Sequence, residues 1–428
     1  MSGSTITQAG NYSLFIDTGF NVNAFVLDDY LKGVLDNTTY VLDGTDDYAD
    51  VTNSTTQVNI RRGRRDQGDQ FAAGTMTFTI FDVDGIFNPF DDTGPYYNTP
   101  EALPGLAPLR QVYFVRYDAS NNPEYLFRGR VVNYDYNFNL GGLDTVTVYC
   151  SDDFYLLGQT YMDELNVTVQ TRGQRITTVL DLPEVDYPTG AARNINAGTV
   201  DLGHNTAFTV PAGTNVLNYL TQINQTAEFG RLFMSRAGVL TFTPRVSQTL
   251  SGSVADFHDD GTEIPYDALG ITFEADAVTN RVYIENLDGH SATANDLASQ
   301  AAFFIQTNSI TNSLLDNSEV ADASTYLLNG TPEPRYNSVE TVLGALTTAQ
   351  RDTVAIVDIN DTITIEKTFI TGQTTTVLAQ ELGVEGVEHE ITLDGHRVRL
   401  FTTPTVIVYE LILDDVLYGT INTTNVLG

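Results

Sequence analysis

Several segments of this chain alternate apolar and polar residues with a period of two, and that pattern commits much of it to β-structure. Thr75-Met-Thr-Phe-Thr-Ile-Phe81 alternates strictly and stops at Asp82-Val-Asp-Gly85, a turn sequence. Gln111-Val-Tyr-Phe-Val-Arg-Tyr117, Tyr125-Leu-Phe-Arg-Gly-Arg-Val-Val132 and Asp144-Thr-Val-Thr-Val-Tyr149 extend the pattern, with Gly, Asn, Asp and Pro between them. Successive side chains of a strand point to opposite faces, so each segment has one face for a core and one for solvent. Short strands at this spacing predict a sandwich or small barrel.

The periodicity then changes. Arg172 to Leu182 carries Ile176, Val179 and Leu180 ahead of Pro183 and predicts a short helix. Asn215 is a good N-cap for a second helix, with Val216, Leu217, Leu220, Ile223 and Ala227 on one face and Gly230 at its end. Arg231-Leu-Phe-Met-Ser235 and Gly238-Val-Leu-Thr-Phe-Thr243 follow as a hairpin. Beyond Ile264, strand patterns recur at Asn280–Ile284, Val339–Leu343, Thr362–Ile365, Val384–Ile391 and His396–Phe401, with helical stretches near 295–305 and 318–328.

The expected class is therefore mainly β with small α/β insertions: two tube-like β-barrels with a helix-hairpin module between them. The divisions are an N-terminal arm (1–45), a first β-barrel (46–160), a mixed α+β middle module (161–262), a second β-barrel with a helical insertion (263–403) and a C-terminal arm (404–428). The two arms share a repeat. Leu27-Asp-Asp-Tyr-Leu-Lys-Gly-Val-Leu-Asp36 matches Leu413-Asp-Asp-Val-Leu-Tyr-Gly-Thr-Ile-Asn422 at Leu, Asp, Asp, Leu and Gly. Either each copy docks on a neighbouring subunit or related surface, through Asp28, Asp29, Asp414 and Asp415, or a common hairpin sequence recurs by chance.

Charge excludes one class of function. Lys and Arg number 21 against 55 Asp and Glu in 428 residues, a formal net charge of −34. Gripping a nucleic-acid backbone requires clustered cations, and so acidic a balance argues strongly against that role. With 42% hydrophobic residues, 22 Phe and 22 Tyr, it has too much apolar material for a disordered acidic chain. A lone cysteine, Cys150, supports neither an intrachain disulfide nor a cysteine zinc site. No basic region followed by an apolar run opens the chain, so synthesis in a cytosol is expected. No stretch approaches ~18 uninterrupted apolar residues, and no spanning helix or membrane insertion is expected.

Residues that could carry chemistry favour structural readings. The five histidines form no HExxH pattern, and no GxSxG nucleophile accompanies them. Glu388-His389-Glu390 lies in an alternating strand, where the carboxylates flank the imidazole and do not face it. Asp82-Val-Asp-Gly85 resembles the start of a calcium loop, yet the twelfth position is Thr93, so a strand-ending turn is preferred. Phe257-His-Asp-Asp-Gly-Thr-Glu263 is a further acidic loop whose carboxylate density alone defines no coordination geometry. Arg61-Arg-Gly-Arg-Arg65 is the only basic cluster. It reads either as a subunit contact through Arg61, Arg62, Arg64 and Arg65, or as a solvated loop paired with Asp66 and Asp69. No catalytic residue, cofactor-binding residue or metal ligand is assigned, no cofactor is expected, and the chain is read as no enzyme.

Several of these segments together resemble a known family. Val58-Asn-Ile-Arg-Arg-Gly-Arg-Arg-Asp66, Phe71-Ala-Ala-Gly-Thr75 and Asp84-Gly-Ile-Phe-Asn-Pro89 are similar to the N-terminal signature of minor tail proteins, the baseplate hub proteins of long-tailed bacteriophages. Leu109-Arg-Gln-Val112, Phe127-Arg-Gly-Arg-Val131, Thr145–Asp153, Glu228–Phe242, Asn280-Arg-Val282 and Gly386–Thr392 resemble later parts of such proteins, and the likeness spans roughly residues 46 to 428. It implies a virion protein of the tail tip or baseplate, made in the host cytoplasm and non-enzymatic. Two barrels per subunit would sit about an axis, so that a homotrimer, or alternatively a hexamer, continues the tail tube. Its partners would be other tail proteins (tail tube or distal tail ring, tip or fibre proteins) and copies of itself, with genome DNA only in transit. Part of the acidic excess would then line a channel that repels phosphate.

Two other functions compete. A tail-tip receptor- or glycan-binding module would use tyrosine clusters such as Pro95-Tyr-Tyr97 and Tyr134-Asp-Tyr136, although the chain has no Trp to stack on sugars. A carboxylate-based hydrolase would need a paired-carboxylate motif, and none is specific enough to assign.

Overall fold

The structure is a computed structural model that describes residues 5–22, 30, 33–35, 47–65, 70–98, 102–203, 206–225, 230–244, 252–275, 278–371, 374–404, 409–410 and 425–426. Strand makes up 45% and helix 17%, so the mainly-β class holds. Alternation translates directly into burial. On Ala72–Asp82, Met76, Phe78 and Ile80 are almost wholly buried, while the intervening threonines face outward. Their register partners Ile60 and Val58 on Thr55–Gly63 point into the same core.

A single 13-stranded sheet organises the molecule. From one edge it runs Tyr48–Asp50, Tyr12–Asp17, Gln111–Tyr117, Pro123–Asn137, Asp144–Ser151, Ala72–Asp82 and Thr55–Gly63. It continues through the long strand Thr374–Thr392 to Gly395–Pro404, Arg335–Val342 and Ala268–Thr272. Thr362–Thr371 pairs with the other half of the long strand and carries Ala255–His258 alongside it in parallel. Through a bridge from Phe257 to Ile264, just ahead of Ala268–Thr272, the second β region returns to its own start. Its seam also carries the bonds from the His258 N–H to the Ile264 carbonyl and from the Ile264 N–H to the Asp256 carbonyl, both 3.0 Å.

Three sequence-based boundaries change. Tyr12–Asp17 lies inside the segment expected to be an N-terminal arm, yet it is a strand of the first region, paired with Gln111–Tyr117 and Tyr48–Asp50. Its alternate residues Leu14 and Ile16 are fully buried, which explains why it is held in the sheet. The second β region begins before residue 263, because Ala255–His258 is part of it. The two regions expected as separate barrels also share one ladder, joined where residues 386–391 pair antiparallel with residues 58–63. A strand of 19 residues is long enough to serve both, a fact that period-two patterning cannot express. Among the described residues no ladder pairs Tyr12–Asp17 or Tyr48–Asp50 with Thr55–Gly63, so the first region curls around its core without closing by strand pairing.

Between the β regions stands the expected mixed module. Helix Arg172–Leu180 buries Ile176, Val179 and Leu180. Helix Val216–Gln225 starts at Asn215, whose Oδ1 accepts the Asn218 N–H at 3.0 Å. Arg231–Met234 and Leu240–Thr243 form the hairpin, joined by Arg193–Ile195. This module shares one continuous hydrophobic core with the second β region, while the first region has a core of its own. The insertion expected as helical is more: Arg281–Asn286, Ser291–Asn295 and Thr307–Ser313 form a three-stranded sheet packed by helix Val320–Tyr326 around Val282, Ile284, Leu315 and Val320, with a second helix at Leu297–Phe303. No helix among the described residues is long and apolar enough to cross a membrane.

The junction between the two β regions depends on glycine. Gly63 has φ +83°, and a Cβ there would lie 2.2 Å from the Glu385 carbonyl oxygen and 2.7 Å from Gly386 Cα. The close approach allows the Arg64 N–H to reach the Glu385 carbonyl at 2.9 Å. Gly63→Ala should therefore lower stability by about 2–4 kcal/mol, the sum of a left-handed alanine and an overpacked backbone contact. Urea unfolding of the variant beside wild type checks this, and unchanged stability would refute the close-packed junction.

Candidate functional site: an arginine and carboxylate joint

Strand periodicity splits the basic cluster. Arg61 and Arg65 face outward, whereas Arg62 and Arg64, on either side of Gly63, are 3% and 5% exposed. The four arginines expected as one subunit contact are thus two pairs with different environments. Arg62 and Arg64 are engaged inside the chain because a buried guanidinium must find carboxylates there.

The inner pair meets acids from distant segments. Arg64 Nε donates to Glu385 Oε2 at 2.8 Å, and Arg231 donates to Glu385 Oε1 through Nε at 3.0 Å and Nη2 at 2.7 Å. Arg231 Nη1 also reaches Asn360 Oδ1 at 2.9 Å, and the Arg64 guanidinium lies 4.4 Å above the Phe71 ring. Arg62 Nη1 donates to Asp358 Oδ1 at 2.5 Å, and Asp358 Oδ2 accepts the backbone N–H of Arg236 at 2.8 Å. Arg236 in turn pairs with Glu124 at 2.8 Å. First β region, middle module and second β region therefore converge on one ion network. Burial alone would push the Glu385 carboxyl up, but Arg231 and Arg64 more than reverse this and hold it below the usual glutamate range.

The outer pair belongs to a charge lattice on the solvent face of the same strands. In register, Arg61 stands opposite Glu388, Glu388 opposite Arg399, and Arg399 opposite Glu340. Glu388 Oε1 lies 3.4 Å from Arg61 Nε and 3.1 Å from Arg65 Nη2. Arg397 bridges Glu340 at 3.2 Å and Glu390 at 3.5 Å, and Arg399 Nε donates to Glu340 Oε2 at 2.8 Å. Arg61, Arg65, Arg397 and Arg399 are 45–52% exposed at their side chains, beside a groove of about 330 Å³. Four cations against three glutamates give this strip an excess of one positive charge in a chain of net charge −34.

Beneath the lattice runs a buried relay. Tyr12 Oη and His396 Nδ1 are 2.8 Å apart, and His396 Nε2 and His389 Nδ1 are 2.9 Å apart. Burial, with a contribution from Arg116, lowers His396 to about 3. His389 is pushed well below the ordinary histidine value by burial, then by His396, Arg62 and Arg236. Both imidazoles are therefore neutral at pH 7 and bonded to partners inside the protein. They tie the strand Tyr12–Asp17 to the second β region and offer no general base to the groove. Glu388 and Glu390 point outward, as strand alternation requires.

The remaining candidates are quickly placed. Asp28, Asp29, Asp414 and Asp415 lie outside the described residues. Asp82 caps the expected turn: its Oδ1 accepts the Ile86 N–H at 2.9 Å and its Oδ2 the Phe87 N–H at 3.1 Å. Cys150 is buried in the first core, and burial drives its thiol far above the ordinary value. Tyr134, Tyr136 and Phe138 stack on one another at 6.1 Å spacings, so their ring faces meet neighbouring rings. Glu385, Asp358, Arg231 and His396 were not singled out from the sequence, and the nearest signal was a lone Glu between Val384 and Gly386 in an apolar strand.

Comparison with known proteins gives a likeness in structure. No family model and no curated protein sequence matches the chain. The tail protein from Neisseria meningitidis MC58 superimposes with a TM-score of 0.54 at 13% identity, covering 92% of this chain and 96% of that one. The 43 kDa tail protein of prophage MuSo2 from Shewanella oneidensis gives 0.52 at 12% identity, covering 84% and 96%. The likeness is one of fold. It extends over nearly the whole of both tail proteins.

Glu385→Gln should cost about 3–5 kcal/mol by leaving two buried guanidinium groups under-compensated, whereas Arg61→Ala or Arg65→Ala should cost no more than about 1 kcal/mol. Chemical denaturation of the three variants separates inner from outer ion pairs, and equal losses would contradict that ranking. Acid acts through His396 and through the buried Asp152, whose Oδ2 accepts the Gly74 N–H at 2.6 Å and whose Oδ1 accepts the Phe154 N–H at 3.1 Å. For His396 the unfolded chain takes up a proton near pH 6.5 that the folded chain excludes until about 3, so this stability is lost as pH falls through that window. Burial raises Asp152 to about 7, and its contribution has the opposite sign: it is present at low pH and lost as pH rises through 7. Asp152→Asn should therefore steepen the loss of stability between pH 7 and 4, and a flatter profile would refute the assignment.

Proposed function

We propose that this chain is a structural, non-enzymatic protein of a phage-type tail, placed in the tip or baseplate as a hub or adaptor. The observation that carries the reading is the match of fold along almost the full length of the two tail proteins. A joint of buried ions that locks both β regions and the module together supports it, because a channel-forming subunit must hold its sheets in fixed relation under load.

In this reading the subunits form a homotrimer that continues the tail tube, in contact with other tail proteins. The outward strip of Arg61, Arg65, Arg397 and Arg399 supplies a subunit contact, since exposed arginines on an acidic protein suit the acidic flank of a neighbouring copy. Arg62 and Arg64 have no part in that contact. Carboxylates elsewhere on the chain line the lumen and keep DNA from adhering as it passes. Glycan binding through tyrosine faces gains no support from the stacked Tyr134, Tyr136 and Phe138.

The test is mass in solution together with electron microscopy of the purified chain. Rings of threefold symmetry are expected, and reversing charge at Arg61, Arg65, Arg397 and Arg399 together should weaken assembly at least tenfold while leaving the fold intact. A lone monomer at micromolar concentration that also fails to join isolated tails would overturn the proposal.

A further inference from the structure

The acidic loop at 257–263, which the tail reading leaves unused, meets a residue far along the chain. His258 Nδ1 lies 3.9 Å from Asp260 Oδ1 and 3.9 Å from Glu366 Oε1, and the three ligand atoms fall within 4.8 Å of one another. These distances exceed hydrogen-bond range. Donors bound to one tetrahedral ion at ~2.0–2.2 Å lie ~3.3–3.6 Å apart, so side-chain adjustments of about 1 Å would bring all three onto it. We propose that His258, Asp260 and Glu366 bind one divalent transition-metal cation, with Zn²⁺ preferred over Mg²⁺ or Ca²⁺.

The backbone brings the three donors together. His258 ends the strand Ala255–His258 and Glu366 is its register partner on the parallel neighbour Thr362–Thr371, so the two side chains share a face. Asp260 is oriented by a tight turn, in which its Oδ1 accepts the Thr262 N–H at 2.9 Å and the Thr262 hydroxyl at 2.6 Å. Gly261, at φ +83°, allows that turn. Thr262 Oγ1 also lies 3.3 Å from His258 Nδ1 and must swing aside for the nitrogen lone pair to face the ion.

Charge favours the same conclusion. Lys367 is engaged with Asp259 at 2.6 Å, and Asp259 also accepts the Thr368 N–H at 3.1 Å. Among the described residues no Lys or Arg forms an ion pair with Asp260 or Glu366. Two carboxylates thus share one imidazole with no fixed cation between them, and a divalent ion would supply the missing charge. An imidazole with two carboxylates is a donor set for Zn²⁺ or its first-row neighbours, whereas Mg²⁺ and Ca²⁺ prefer oxygen alone. The side chains are 19–45% exposed, leaving the remaining coordination positions to water or to a donor from a neighbouring chain.

The location gives the ion a structural effect. His258 stands beside the Phe257–Ile264 bridge through which the second β region returns to its start. Bound metal would pin the loop 257–263 to Thr362–Thr371 across that seam and raise the stability of this region by mass action.

The full-length chain, stripped with EDTA, is titrated with ZnCl₂ by calorimetry and by thermal unfolding, with Co²⁺ absorption reporting an imidazole ligand. Wild type should bind one equivalent with micromolar or tighter affinity and unfold at a higher temperature, while Mg²⁺ and Ca²⁺ at the same concentration leave the midpoint unchanged. Glu366→Gln and His258→Gln should each lose at least tenfold in affinity. Glu366→Gln alters only a partly exposed side chain, so the test survives if the histidine variant fails to fold. No saturable one-equivalent binding, Zn²⁺ affinity undiminished in Glu366→Gln, or an equal response to Ca²⁺ would each overturn the proposal. None of these outcomes bears on ring assembly, which the micrographs judge separately.

Discussion

The buried contact of Glu385 with Arg64 and Arg231 is the interaction on which the arrangement of the rest depends. Its three members come from the first β region, the middle module and the long strand shared by both β regions. Removing charges from water costs several kcal/mol per ion, so such a network persists only where geometry compensates each one. Here both carboxylate oxygens are engaged, and Asn360 and Phe71 take up further faces of the guanidinium groups. Ion pairs of this kind add little net stability over an apolar core. They are strongly selective for one placement of the parts, because any slip strands a buried charge.

Around that contact the chain uses one short sequence for two purposes. Gly63 lets the backbones of two strands approach, and the residues on either side of it point alternately inward and outward. Arg62 and Arg64 fasten the sheet from within, and Arg61 and Arg65 join a row of opposite charges on its solvent face. The inner layer is shielded from salt and the outer one is screened by it. The buried and the exposed ion pairs therefore respond differently to ionic strength.

Much of the fold was legible in the residues. Strict alternation at Thr75–Phe81 and its counterparts placed the strands, Asn215 placed a helix start, and the hairpin around Gly238 was plain. The Tyr12–Asp17 strand went unrecognised because six residues beside a Gly- and Asn-rich stretch carry a weak signal, and its burial comes from partners at 111–117. The joint was half visible: the arginines stood out as a cluster, but their acids did not. A glutamate in an apolar strand and an aspartate in a loop look ordinary until folding brings them together.

What the sequence determined by itself was local: which segments are strands or helices, which faces are apolar, where turns fall, and that the surface is strongly anionic. Those properties follow from the period of side chains along a backbone and from composition, and both can be read one neighbour at a time. Only the tertiary structure decided that the long strand Thr374–Thr392 serves both β regions, that two of four adjacent arginines are sealed inside, and that His258 meets Glu366. Each of these depends on which distant segments pair and in what register. That choice is made by the summed burial of whole faces and the matching of buried charges, which no local window contains.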